Sequence, residues 1–129
     1  MTDKELLEVA ARAAGIEIDH WRGDMPMVNE SEYDANEYHA WNPLTDDGDA
    51  LRLAVKLDID FYMGADSDGP EAWAGYYLPE RDNKLHACEP IRNDPYAATR
   101  RAIVRAAAAV GSRHNAMYRD KTCSITSET

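Results

Sequence analysis

Trp41-Asn42-Pro43-Leu44-Thr45-Asp46-Asp47-Gly48-Asp49-Ala50-Leu51-Arg52-Leu53-Ala54-Val55-Lys56-Leu57-Asp58-Ile59-Asp60-Phe61-Tyr62-Met63 contains both periodicities on which the fold turns. Pro43 disfavours helix before it, Thr45 is placed to cap, and Asp46, Asp47 and Asp49 set negative charge against the positive end of a helix dipole. Ala50, Leu53, Ala54 and Leu57 then share one helical face, which Leu51 and Val55 widen, so this helix should bury a broad apolar stripe. Past Asp58 the period drops to two. Ile59, Phe61 and Met63 alternate with Asp60 and Tyr62, as in a strand with one buried face.

Toward the C-terminus, residues 71–78 and 85–91 also read as strands, and residues 64–70 and 79–84 between them carry the Gly, Pro, Asp and Asn of hairpin loops. Three sequential antiparallel strands follow. Asp94-Pro95 then combines an N-cap with the one helical position where proline loses no bond. The helix it starts runs through Ala97, Ala98, Ala102, Ile103, Ala106, Ala107 and Val110 to a stop at Gly111, and its alanines permit close approach to a sheet or helix. Residues 112–129 are polar and read as a tail.

Toward the N-terminus, Thr2 and Glu5 have capping-box spacing, Leu6, Val9, Ala10 and Ala13 recur at helical spacing, and Gly15 suits the turn that ends a helix over 3–14. Residues 16–40 mix acids, Pro26 and turn formers with the aromatics Trp21, Tyr33 and Tyr38, and are expected to be an irregular acidic connector. The expected class is α+β: a three-stranded antiparallel meander covered by helices in the order α-α-β-β-β-α, as a two-layer or α/β/α sandwich. Residues 1–111 form one domain in this reading. The second and third helices are expected to shelter the apolar side of the sheet.

The 129 residues are 44% hydrophobic with a formal charge of -10, too apolar for a disordered chain and too acidic to bind nucleic acid or anionic lipid unaided. A partner with a basic surface is the natural complement, with self-association left open. No apolar run reaches the length that crosses a bilayer. Cys88 and Cys123 lack CxxC spacing and read as free thiols in a reducing compartment, which places the protein in the cytoplasm.

Motifs for chemistry are sparse. Asp66-Ser67-Asp68-Gly69 begins like half of a calcium loop, but Gly64 and Gly75 stand where its first ligand and bidentate glutamate belong, so a polar hairpin is the better reading. His20, His39, His86 and His114 have no zinc spacing, and no cofactor or metal is expected. His86 and Cys88 share a strand face, yet nothing marks the orienting group and oxyanion site that a nucleophilic cysteine needs. No glycine-rich loop opens a helix, and Asp58 and Asp60 read as wet-face carboxylates. Charge, by contrast, is segregated: between Glu17 and Asp49 ten acids face Arg22 alone, and between Arg92 and Lys121 seven basic residues face two acids. The two segments should attract.

The helix start at 41–47, the Ala50–Leu57 helix and the Ala/Arg-rich run from Asp94 to Ala107 resemble small hypothetical proteins of tailed phages and prophages. In its Asn-Pro-x-Thr start and last helix the chain is similar to the phage ABA-sandwich (NinX-like) family over about residues 41–111. The resemblance implies a phage accessory product without catalytic residues, from a class whose members often bind host proteins or blunt host defences. The expected function is therefore non-enzymatic binding of a host protein, such as a CRISPR effector, through an acidic surface. Tyr33, Tyr38 and Trp41 would be its anchors, and Glu30, Glu32, Asp34 and Glu37 its steering charges. The alternative is a small-molecule binder that sequesters an anionic signalling nucleotide on Arg101 and Arg105, with Trp73 stacking on the base.

Overall fold

The computed structural model describes residues 1–29, 36–78 and 83–112. Helix α1 (Asp3–Ala13) begins at the expected capping box: Thr2 Oγ1 accepts from the Glu5 amide at 3.1 Å, and Glu5 Oε1 accepts from the Thr2 amide at 2.8 Å. The segment read as an irregular connector is instead partly sheet. Strands β1 (Ile18–Arg22), β2 (Met25–Val28) and β3 (His39–Ala40) pair antiparallel in that order. Their period-two signature is missing because Pro26, Met27 and Val28 are all buried in succession, and a shift in register between Ile18 and His20 breaks β1.

Helix α2 (Asp47–Lys56) is capped by Asp46, whose Oδ2 accepts from the Asp49 amide at 2.8 Å. Thr45, the expected cap, stands one residue too early and its hydroxyl donates to the Asn42 carbonyl at 3.4 Å. The meander then follows as β4 (Asp60–Asp66), β5 (Gly69–Leu78) and β6 (Asn83–Pro90), a second antiparallel sheet in which Trp73 sits opposite Tyr62 and Cys88. Its first hairpin is tighter than the expected loop over 64–70. Asp66 Oδ1 accepts from the Asp68 amide at 2.7 Å and Gly69 adopts φ +117°, so two residues suffice to turn the chain. The single meander is thus one of two three-stranded sheets, within a mixed α+β domain.

Helix α3 (Pro95–Gly111) organises the rest. Asp94 Oδ1 accepts from the Tyr96 and Ala97 amides at 3.0 and 3.1 Å, as its N-cap position predicts. The helix lies mainly across β5 and β6, where Ala72, Ala74 and Ala87 are buried together with Ala102, Ile103 and Ala106 in one core. α1 and α2 both pack on α3. Coverage of the sheet by α2 and α3 together therefore gives way to coverage chiefly by α3, with α2 leaning on α3. Among the described residues no helix is long and apolar enough to cross a membrane.

Candidate functional site

Because α3 crosses the sheet over β5 and β6, the helix-side face of the edge strand β4 is left open. Phe61 and Met63, which alternation assigns to the buried face, are 41% and 63% exposed. Leu51 on α2 and Tyr96 at the start of α3 are 53% and 68% exposed and border the same space. Together they frame a groove of about 530 Å³, closed at its base by Ala50 and Ile103. Such a volume is typical of a binding cleft, and its lining is predominantly apolar.

Three of the polar side chains on the walls, Arg100, Asp47 and Thr99, are engaged within the chain. Arg100 Nε donates to the Leu44 carbonyl at 2.8 Å and its Nη1 to Asp47 Oδ1 at 2.6 Å, while the Thr99 hydroxyl donates to the Pro95 carbonyl at 2.7 Å. A cation already committed to a carboxylate offers little to an anionic ligand, so the groove suits an apolar one. The Arg100–Asp47 pair also shows part of the charge segregation satisfied within the chain.

The residues expected to form the nucleotide site are not brought together. Arg101 holds both carboxylate oxygens of Asp3 at 3.0 Å and ties α3 to α1. Arg105 donates to the Cys88 carbonyl at 2.7 Å and to the Glu89 carboxylate beneath α3. Trp73 lies on the opposite face of the sheet, stacked on Tyr62 at 6.0 Å with His86 edge-on at 5.8 Å. Residues in register share a face and successive residues change it, which separates the Arg105–Glu89 pair from Trp73.

Of the expected protein-binding residues, Trp41 is a core residue, 4% exposed, and so cannot serve as a surface anchor. Its amide donates to the Pro26 carbonyl at 3.0 Å. Glu37 is exposed, and the Tyr38 ring meets that of His20 edge-on at 5.0 Å. Glu30, Glu32, Tyr33 and Asp34 lie outside the described residues. Cys88 is buried and disulfide-bonded, which corrects its reading as a free thiol and removes it as a nucleophile; Cys123 lies outside the described residues. No group of three His, Cys, Asp or Glu among the described residues is arranged to hold a metal ion.

No protein-family model, no curated protein and no solved structure matches the chain. Its candidate site stands on geometry alone. By sequence, Leu51, Phe61 and Met63 belong in the core because apolar residues at the right period read as buried, and Tyr96 has no assigned role. One signal pointed to them: the α2 stripe, widened by Leu51 and Val55, is broader than a helix with a single contact needs.

Proposed function

We propose that this chain is a non-enzymatic accessory protein that binds an apolar segment of another protein in the groove between α2, β4 and α3. The observation that carries the reading is the contiguous exposure of Leu51, Phe61, Met63 and Tyr96 around walls on which Arg100, Asp47 and Thr99 are engaged within the chain. Large exposed apolar patches on small proteins usually mark interaction sites. The formal charge of -10 favours a partner with a basic surface, attracted electrostatically and then held by apolar contact. All three groove elements fall within residues 41–111, the stretch that resembles phage accessory proteins, and a host protein, including a defence component, is the partner class that resemblance supports.

Panning a displayed random-peptide library on the chain tests the reading. Recovered peptides should be apolar with basic flanks and should lose at least about tenfold in affinity toward Leu51→Glu, the cost of one desolvated charge in an apolar contact. Peptides that ignore Leu51→Glu but are lost with Glu37→Lys and Tyr38→Ala would move the site to the acidic surface before α2.

A further inference from the structure

The groove opens along one side to the outer edge of β4, with which no strand pairs among the described residues. The Ile91 amide donates to the Pro70 carbonyl at 3.0 Å, so the backbone of Pro70 faces β6. Backbone direction alternates along a strand, so Glu71, Trp73 and Gly75 face β4, and their partners Gly64, Tyr62 and Asp60 face back toward them. Phe61, Met63 and Ala65 therefore direct both N–H and C=O outward. The same three residues have their side chains on the helix side of the sheet, where Phe61 and Met63 line the groove.

Edge strands are normally blunted by lysine, proline, a bulge or a covering element. From Phe61 to Ala65 this edge has no charge, no proline and no break in register, and among the described residues no strand pairs beyond it. Building on the groove reading, we propose that β4 receives an extended segment of the partner as an added strand. Residues of that segment opposite Phe61, Met63 and Ala65 share their face and place apolar side chains over the groove, while the intervening basic residues point to the other face of the sheet, which carries Asp60 and Asp66. Charge decides between this occupant and a second copy of the chain. The edge is bracketed by Asp58 and Asp60 at one end, where Lys84 pairs with Asp60, and by Asp66 and Asp68 at the other. Two copies each carry a formal charge of -10. An antiparallel pairing along this edge would bring Asp66 and Asp68 of each toward Asp58 and Asp60 of the other, with only Lys84 among the described residues to offset them, so pairing with a second copy is electrostatically unfavourable.

Two 14-residue peptides of leucine and lysine test the proposal on the full chain, one strictly alternating and the other with leucines at helical spacing. The free chain should exchange the Phe61, Met63 and Ala65 amides quickly and those of Tyr62 and Gly64 slowly. The alternating peptide should slow the first three at least tenfold and bind more tightly than its helical counterpart. Ala65→Pro removes one outward N–H without touching α2, and Leu51→Glu charges the groove wall without touching the edge; each should weaken binding at least tenfold. If Leu51→Glu abolishes binding while Ala65→Pro binds normally and the three amides stay unprotected, strand addition is wrong and the groove reading survives. Insensitivity to both variants, or no binding of either peptide, removes both. A wild-type dimer in sedimentation that Ala65→Pro converts to monomer would assign the edge to a second copy and overturn the proposal. Amide protection is read on the wild type, so the proposal stays testable even if Ala65→Pro unfolds.

Discussion

Asp49 and Glu71 show how one carboxylate can be structural in opposite ways. Asp49 is buried at the start of α2, where it accepts from the Asn42 amide at 2.9 Å and from Arg52 at 2.8 Å, locking the turn before the helix to its first turn. Asp49→Ala strands the Asn42 amide and should cost about 1–3 kcal/mol in denaturant unfolding. Glu71, beside the β4–β5 hairpin, is pushed up to about 7 from an ordinary 4.5, first by its hydrogen bond to Asp66, then by burial and by the charges of Asp66 and Asp68. Its proton is retained to higher pH in the fold than in the unfolded chain. The stabilisation is therefore complete below about pH 4.5 and is lost as pH rises through about 7. Glu71→Gln keeps a hydrogen-bond donor at every pH. Its melting temperature should match wild type at pH 4 and exceed it by a growing margin toward pH 8, and a pH-independent difference would contradict the shared proton.

At the scale of elements, the helices follow local rules and their contacts follow side-chain size. Asp94→Ala removes the acceptor for two amides at the start of α3 and should destabilise the domain by about 0.5–2 kcal/mol, measured by urea unfolding. The sequence makes Gly111 a helix stop, but it belongs to α3, and Ser112 is the cap. A Cβ there would lie 2.9 Å from the Val9 carbonyl and 3.0 Å from Ala13 Cβ on α1, so the glycine permits the two helices to touch. In an open helix Gly→Ala gains about 1 kcal/mol. Gly111→Ala should instead lose about 1–3 kcal/mol through overpacking; a gain would mean that α1 can move aside. The first hairpin, by contrast, is legible in Asp66-Ser67-Asp68-Gly69 as a polar turn; it is shorter than the sequence suggests because strand pairing continues to Asp66 and Gly69.

Across the whole molecule, charge and surface act together. A formal charge of -10 on one small domain repels itself, and the ion pairs described are mostly exposed and contribute little against that. Raising salt from about 10 mM to about 200 mM shortens the screening length from roughly 30 Å to under 10 Å and should raise the melting temperature by a few degrees. A fall would mean that the ion pairs outweigh the net repulsion. The same salt should slow capture of a basic partner by the groove, since screening weakens steering more than apolar contact.

Residue periodicity and caps were enough to place α1, α2, α3 and the meander, because each rests on interactions within a few residues of chain. Thr2, Asp94 and the alternation through Ile59, Phe61 and Met63 are such local signals. The small sheet over β1 to β3 was hidden because its burial comes from distant contacts rather than from alternation. The groove was hidden for a related reason. A sequence states which residues are apolar, but whether α3 lies over β4 or beyond it depends on how alanine faces of three elements fit together, and that choice left Phe61 and Met63 uncovered.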